Sequence, residues 1–399
     1  MLDRYRRVLG APHVLALVVS SVLARTPIGM ISLALVLYVQ RLTGSFASAG
    51  AVTAAFAIAA GLASPLQGRL IDRLGQTRVL VPFVLVHVVA VVVVVALGES
   101  GASPAVLAAV SGVAGAGTPP VGAALRPLWP QLLDDETLLP PAYALDSILI
   151  EAVFSLGPLL TAALVALFSP IAALLAGAAI VLVGTVWFSA LPPSREWRGE
   201  PNTAGWAGPL RAPGMRTLLL AGVGAGACFG VFEVVLPAFG KDHGSASVGG
   251  PLITAWALGS MAGGIAYGVL AERLGALARA FLRLAALLPV VSALTLAATS
   301  VASMLLLIPV AGVVIAPLQA TQNQLVGLVA PAGTITEAYT WVLMGLVVGV
   351  AGGNALAGAL VEASGWRAAV VAGCALAALG AAVGWARRGT LRPAAAVPA

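Results

Sequence analysis

Residues 68–78 read G-R-L-I-D-R-L-G-Q-T-R and concentrate charge in a chain that has very little of it. Arg69, Asp72, Arg73 and Arg78 fall in this short stretch, whereas only 9% of the 399 residues are Asp, Glu, Lys or Arg. Long apolar runs lie on both sides of it. This pattern predicts a segment that remains in water between two segments that do not.

The composition of the whole chain excludes a water-soluble globule. Hydrophobic residues make up 60% of the sequence and the mean hydropathy is +1.02, whereas soluble domains are about half apolar and about a quarter charged. We therefore predict a protein embedded in a lipid bilayer. A β-barrel would need strands of alternating polarity. Runs such as V-A-V-V-V-V-V-A-L at 89–97 do not alternate, so the spans are predicted to be helices.

Twelve apolar runs are long enough to cross a bilayer as helices, which takes about 20 residues each. They follow one another along nearly the whole chain, with short connections between most of them. Their predicted bounds are 14–39, 46–66, 79–97, 104–125, 141–167, 171–191, 215–238, 248–270, 281–299, 302–325, 336–360 and 368–386.

The distribution of positive charge predicts the orientation in the membrane. If the N-terminus is cytoplasmic, every Lys and Arg faces the cytoplasm except Arg25, Arg41, Lys241 and Arg367. Because cytoplasmic loops carry an excess of Lys and Arg, we predict a multi-pass protein of the cell (inner) membrane with both termini cytoplasmic. The net charge of +6 then reflects topology, and no nucleic-acid partner is expected.

The charged stretch is part of an internal repeat. G-R-L-I-D-R-L-G at 68–75 recurs as G-V-L-A-E-R-L-G at 268–275. The matched residues are Gly68, Asp72, Arg73 and Gly75 with Gly268, Glu272, Arg273 and Gly275, followed by Pro120 with Pro317 and Ala142-Tyr143 with Ala338-Tyr339. Six spans in each copy make parallel repeats related by an axis along the membrane normal. We predict an N-terminal six-helix half over 1–191, an extended, solvated cytoplasmic linker over 192–214, and a C-terminal six-helix half with a short cytoplasmic tail over 215–399.

These features resemble the major facilitator superfamily, in particular its twelve-helix drug and metabolite efflux permeases. The family motif between helices 2 and 3, G-x-L-x-D-R-x-G-R-[RK], matches both glycines, Leu70, Asp72 and Arg73, and departs at Gln76 and Thr77. The resemblance covers about residues 12 to 386. It implies an all-α membrane protein with twelve transmembrane helices in two six-helix pseudo-symmetric halves, and a secondary transporter that works by alternating access.

The resemblance also implies a gating role for the repeated motif, in which its Asp and Arg hold the two halves together on the cytoplasmic side. Asp72 would be favoured near a helix N-terminus, and Arg73 would pair across the interface between the halves. The alternative is that these charges only anchor the loop in water and fix the topology.

Ionisable residues within the spans are the strongest functional candidates, because burying one in a bilayer costs at least about 2.5–3.5 kcal/mol. Arg25 and Glu151 lie near mid-depth of spans 1 and 5 and are predicted to pair with each other. Asp146 also lies on span 5, about 140° around the helix from Glu151, and is predicted to meet Arg126. Glu233 lies late in span 7. Each acid is interpreted either as a proton-coupling carboxylate or as part of a static ion pair.

Candidate substrate contacts come from polar and aromatic residues in the spans. Gln319 and Asn323 share one face of span 10, and the resemblance implies that helices 1, 4, 7 and 10 line the central path. Trp256 and Trp341 would stack on a ligand, and Arg25 would contact a carboxylate. The alternatives are polar side chains that snorkel to the cytoplasmic end and tryptophans that anchor the membrane interface.

Other kinds of chemistry are not supported. The sole lysine, Lys241, is followed by Asp242, so there is no phosphate-binding G-K-[ST] motif and ATP-driven pumping is excluded. The histidines and the two cysteines show no metal-ligand spacing. We expect no cofactor, no metal, no enzymatic activity and a monomeric protein.

The predicted function is proton-coupled export of an amphipathic small molecule, either a drug or a metabolite. Antiporters of the superfamily often carry G-P-x-x-G-G in helix 5. Here Gly157-Pro158 is present, whereas Thr161 and Ala162 replace the second pair of glycines. The first alternative is a proton-coupled importer of a sugar or organic acid, and the second is a transport-inactive sensor or scaffold.

Overall fold

The computed structural model describes residues 3–199, 207–243 and 248–392, and within these ranges it is all-helical. Twelve of its helices are long and apolar enough to cross a membrane, which confirms the predicted fold class. In chain order they are α1 (Val14–Thr43), α2 (Phe46–Leu74), α3 (Gln76–Glu99), α4 (Pro104–Leu132), α5 (Leu139–Leu167), α6 (Pro170–Ala190), α7 (Pro213–Asp242), α8 (Gly249–Leu270), α9 (Leu277–Ala297), α10 (Val301–Val329), α11 (Ile335–Ser364) and α12 (Trp366–Ala386).

A short helix, Asp3–Gly10, precedes α1. This N-terminal helix and residues 68–78 lie at the same end of the bundle, which also carries most of the arginines. We call this end the basic face. Because α1, α5, α7 and α11 begin at the basic face, their first turns bring residues from both halves together there.

The charged stretch is not the loop that the sequence predicts. Helix α2 continues through it to Leu74, and α3 begins at Gln76, so only Gly75 separates the two helices. Gly75 has φ +90°, a conformation that L-residues with a side chain rarely adopt. In the second copy, Gly275 has φ +78°. The final glycine of the motif therefore makes the same sharp turn in both halves.

Two spans are broken at equivalent places. The first α-helical segment of α4 ends at Ala116 and that of α10 ends at Gly312, close to the matched prolines of the repeat. In α4 the freed carbonyls are bonded by buried side chains. Gln67 donates to the carbonyls of Ala116 and Thr118, at 2.7 and 3.1 Å, and His87 lies 2.8 Å from the carbonyl of Ala114. Breaks within a bilayer need such partners because no water is available there.

Close helix contact explains the glycines spaced four residues apart. A Cβ at Gly349 or Gly353 of α11 would collide with the backbone of α7, at Val223 and Ala227 respectively. Small residues at this spacing let two helix backbones approach closely, which is how membrane helices gain packing energy.

The described part of the linker is neither extended nor fully solvated. Residues Pro192–Glu196 form a short helix, Gly208–Arg211 form a 3₁₀ turn, and Trp197 is only 4% exposed. The Gly199 backbone packs directly on the carbonyl of Asp72. Residues 200–206 of the predicted linker lie outside the described ranges.

Candidate functional site

An ion cluster lies within the N-terminal half, between α1, α4 and α5. Asp146 accepts from Arg25 Nη1 at 2.6 Å and from Arg126 Nε at 3.0 Å, and its side chain is fully buried. Arg25 also donates to the carbonyl of Ser21, one turn earlier on α1, at 3.3 Å. A buried carboxylate held by two guanidinium groups is satisfied, whereas removal of one partner leaves an uncompensated charge.

The predicted pairing of Arg25 with Glu151 is wrong, and the predicted meeting of Asp146 with Arg126 is correct. Side chains on a helix lean toward its N-terminus. For α1 that direction is toward the basic face, so the long Arg25 side chain reaches the shallower acid. Glu151 lies on a different face of α5 and is directed away from α1.

Glu151 instead lies at the interface between the halves. The Ser260 hydroxyl of α8 faces its carboxylate but makes no hydrogen bond of good geometry within the described ranges. Within those ranges Glu151 has no ion-pair partner, and its side chain remains partly exposed. It is therefore a partly exposed carboxylate near mid-depth that has no cation partner in the described part of the chain.

Glu233 of α7 is exposed and lies nearer the opposite face. The side-chain amide of Asn354, on α11, donates to its carboxylate at 3.1 Å. No cation of the described residues pairs with it. Glu151 and Glu233 are therefore two acids of the spans that have no cation partner among the described residues.

A carboxylate from the first half closes the basic face by capping a helix of the second half. Asp72 accepts from the backbone N–H groups of Thr336 at 2.9 Å and Glu337 at 2.8 Å, the second and third residues of α11. The residue before α11, Thr334, makes no side-chain cap of its own. Asp72 therefore acts as an N-cap supplied by the other half, and the dipole of α11 favours its negative charge. We call this contact the Asp72 latch.

A pair of tyrosines meets between the halves near the latch. The hydroxyls of Tyr143 and Tyr339 lie 3.0 Å apart, and both side chains are buried. The two residues are repeat equivalents, 196 positions apart, so their contact lies close to the pseudo-two-fold axis. The Arg126 guanidinium lies 5.6 Å from the centre of the Tyr339 ring. The ion cluster thus touches the residues that close the basic face.

The other predicted gating residues are placed as follows. Gly68 admits the backbone of Glu337, because a Cβ there would lie 2.9 Å from the Glu337 Cα. Arg73 is exposed and its charge acts on the Glu337 carboxylate, together with that of Arg69. In the second copy, Gly268 contacts the tyrosine of the N-terminal helix, Arg273 and Gly275 are exposed, and the side chain of Glu272 lies outside the described ones.

The residues that depart from the family motif have structural roles. Gln76, fully buried, donates from Nε2 to the carbonyl of Ala124 in α4 at 2.8 Å. The Thr77 hydroxyl donates to the carbonyl of Ser189 at the end of α6 at 2.9 Å. Both side chains therefore bind the start of α3 to neighbouring helices of its own half.

Three of the candidate substrate residues, Gln319, Asn323 and Trp256, lie on α10 and α8. Gln319 is partly exposed and Asn323 is 7% exposed, and neither has a hydrogen-bond partner within the described part of the chain. Trp256 packs against Phe229 and Phe232, with ring centres 6.0 and 5.7 Å away. These three residues are available at the interior, and their contact with a ligand stays a prediction.

Trp341 contacts the residues that close the basic face. Its indole N–H donates to the Glu337 carboxylate at 3.2 Å, next to the Asp72 latch, so in this conformation it supports the closed face.

Sequence reasoning missed the roles of Thr336, Glu337, Ser260 and the tyrosine pair. Tyr143 and Tyr339 were detectable, since matched residues at the start of equivalent helices meet where those helices converge on the axis. The residues that bind Asp72 could not be identified from the sequence, because they donate backbone N–H groups and any residue except proline has one.

Comparison with known proteins agrees with this architecture. The family model of the Major Facilitator Superfamily matches residues 17–342 and 218–398. The uncharacterized MFS-type transporter y4rN of Sinorhizobium fredii is 30% identical over 275 residues, which are 65% of this chain and 66% of that protein.

Solved structures share the fold at low sequence identity. A bacterial homologue of the iron transporter ferroportin, in an outward-facing state, superposes with a TM-score of 0.74 at 16% identity, covering 94% of this chain and 99% of that one. The human organic anion transporter MFSD10 gives 0.68 at 17% identity over 95% and 99%. The fucose:proton symporter FucP of E. coli gives 0.66 at 12% identity over 95% and 100%. The chain is a multi-pass membrane transporter that belongs to the Major Facilitator Superfamily.

Proposed function

We propose that this protein is a proton-coupled exporter of amphipathic small molecules that carry a positive charge. Glu151 is the observation that supports this most directly. It is an acid near mid-depth, between the halves, with no cationic partner in the described chain. A proton or a cationic group can neutralise such a carboxylate, but not both at once. That competition is the basis of exchange between protons and a cationic substrate.

The distribution of charge favours a cation over an anion. The arginines of the ion cluster are already paired with Asp146, and Arg25 is only 3% exposed. Glu151 and Glu233, in contrast, are acids of the spans without a cation partner among the described residues. Aromatic rings at Phe229 and Trp256 supply an apolar and π-rich surface on the same side as Glu233, suited to the apolar part of such a ligand.

The runner-up is proton-coupled uptake of a sugar or organic acid, in which Arg25 contacts the substrate carboxylate. The buried position and existing ion pair of Arg25 weigh against it. A transport-inactive scaffold ranks last, because such a protein gains nothing from an unneutralised acid within the bilayer.

The proposal places the basic face in the cytoplasm and the protein, as a monomer, in the cell membrane, following the excess of arginine on that face. Residues 1–191 and 215–399 are proposed as the halves that move against each other. With this orientation, the Asp72 latch and the tyrosine pair close the cytoplasmic side. Export then requires both contacts to break and re-form in each cycle.

The test is transport in inside-out vesicles with and without an imposed pH gradient, using tetraphenylphosphonium, a neutral hexose and benzoate as probes. We expect tetraphenylphosphonium to accumulate when the vesicle interior is acidic, and this uptake to be lost in Glu151→Gln. Glu362→Gln is the matched control, because Glu362 is an exposed acid at the far end of α11. Gradient-driven movement of benzoate or hexose alone would reverse the choice in favour of the runner-up.

A further inference from the structure

The hydroxyl of Tyr5 crosses from the N-terminal helix to the C-terminal half. It donates to the carbonyl of Gly264 on α8 at 3.0 Å, with the carbonyl of Ile265 at 3.3 Å, and the Tyr5 side chain is 8% exposed. A Cβ at Gly268 would collide with this hydroxyl. The first glycine of the second motif copy therefore provides the space that Tyr5 occupies.

A separate set of contacts holds the N-terminal helix to the N-terminal half. Arg7 pairs with Asp135, in the connection between α4 and α5, at 2.9 Å. Val8 is fully buried in the core, on the same side of the helix as Tyr5. The helix is thus bound to the N-terminal half by one set of contacts while Tyr5 bonds the C-terminal half.

The repeat explains why the second motif copy needs a partner of this kind. In the first copy, Asp72 binds the N–H groups of the second and third residues of α11. The equivalent residues of α5 are Pro140 and Pro141, 196 positions earlier along the chain. Proline has no N–H to donate. Whatever the acid of the second copy contacts, α5 cannot receive the cap that α11 receives.

We propose that Tyr5 is a second latch, which joins the N-terminal helix to α8 at the basic face and takes the place of the missing helix cap. Gly68 and Gly268 then have parallel roles. Each lacks a side chain so that a group attached to the other half can dock against its helix. The Asp72 latch docks α11 of the C-terminal half on α2, and the Tyr5 latch docks the N-terminal helix on α8. Opening of the basic face requires both to separate.

The experiment measures how often the basic face is open. Arg78→Cys and Arg279→Cys place spin labels on exposed positions at the starts of α3 and α9, in a background where Cys228 and Cys374 are replaced by alanine. Electron–electron distances are recorded for the full-length protein in lipid nanodiscs. Tyr5→Phe removes only the hydroxyl and is expected to raise the ratio of long to short distances about fivefold, as for loss of one net hydrogen bond.

Tyr38→Phe is the matched control, because the Tyr38 hydroxyl donates to Val95 within the N-terminal half and its removal should leave the ratio unchanged. Gly268→Ala should raise the ratio as Tyr5→Phe does, and the double variant should rise no further, since both changes break one contact. The double variant of Tyr5→Phe and Asp72→Asn should show a higher ratio than either single variant, because the two changes break different latches.

Two outcomes would overturn the proposal. In one, Tyr5→Phe leaves the distances unchanged while Asp72→Asn lengthens them. In the other, Gly268→Ala and Tyr5→Phe each open the face and their effects add in the double variant, which would show that the two changes do not break the same contact. Neither outcome depends on which molecule is transported, so failure here is separable from failure of the proposed export activity.

Discussion

Position 146 in the N-terminal half holds a buried aspartate between two arginines, whereas the equivalent position of the C-terminal half, 196 residues later, is Val342. Position 151 holds the interface glutamate that has no cation partner among the described residues, and its equivalent is Val347. The two halves share helix breaks, motif glycines and the tyrosines on the axis. They therefore repeat the features that shape the backbone, and at these two positions within the spans they differ in charge.

This difference assigns separate tasks to the halves. The N-terminal half contributes the ion cluster, the latch acid and the mid-depth acid. The C-terminal half contributes helix N–H groups, backbone carbonyls and the aromatic rings around Trp256. A symmetric pair of ion clusters would double the cost of burying charge.

The largest expected effect comes from Asp146→Asn, which leaves two buried arginines without a carboxylate. We expect a loss of about 3–5 kcal/mol in the free energy of unfolding, as for breaking a buried ion pair. Val342→Ala, at the equivalent position, should cost only about 1–2 kcal/mol, the contribution of two buried methyl groups. Thermal unfolding of the purified proteins in the same detergent measures both. Equal losses of unfolding free energy in the two variants would contradict the proposal that only the N-terminal half depends on a buried ion cluster.

Asp72→Asn should weaken closure of the basic face by about 1.5–3 kcal/mol, because hydrogen bonds to a charged group are lost. Thr336→Pro makes the start of α11 resemble that of α5 and removes one of the same N–H donors. We expect it to slow transport as Asp72→Asn does, and the double variant to be no slower than the single ones. Asp134→Asn, at an exposed acid, should transport normally. Fully additive losses would show that Asp72 acts elsewhere.

Gly68→Ala tests the close approach of α2 and α11. The added Cβ meets the backbone of Glu337, which cannot move aside without separating the helices, so we expect a cost of about 1–3 kcal/mol to the closed state. Gly61→Ala, on the same helix, adds a Cβ that meets nothing within 4 Å. Transport rates of the two variants, measured at matched protein levels, should differ clearly; similar rates would argue against tight docking at Gly68.

The smallest effect is expected at the surface contact that holds the N-terminal helix. Hydrogen bonds from the Thr137 side chain and backbone keep the pKa of Asp135 below its usual range, with a further contribution from Arg7. This contact is therefore present above the ordinary carboxyl pKa and is lost as the pH falls through the lowered value. Arg7→Gln should raise the pKa of Asp135 slightly, as seen by ¹³C NMR of aspartate-labelled protein. An unchanged titration would show that the two side chains do not interact in solution.

Most of the fold could be predicted from the sequence, because a bilayer demands long apolar helices and a duplicated motif reveals the symmetry. The contacts of Asp146 with Arg126 followed from helix periodicity. The partner of Arg25 was predicted wrongly, because only the depths of the residues in the membrane were compared. The direction in which the long Arg25 side chain leans along its helix was not considered. A holding role for Asp72 was predicted, but the partners of the two latches could not be, because they are backbone groups at Thr336, Glu337 and Gly264, and nearly every residue carries such groups.

The most direct test of proton exchange at Glu151 is the release of protons when a cationic substrate binds. Purified protein in lightly buffered detergent is mixed with the cation that the vesicle assay identifies, and the pH of the solution is followed. The parent protein should release protons in proportion to the bound cation, and Glu151→Gln should bind without release. Equal release by both proteins would contradict the role assigned to Glu151.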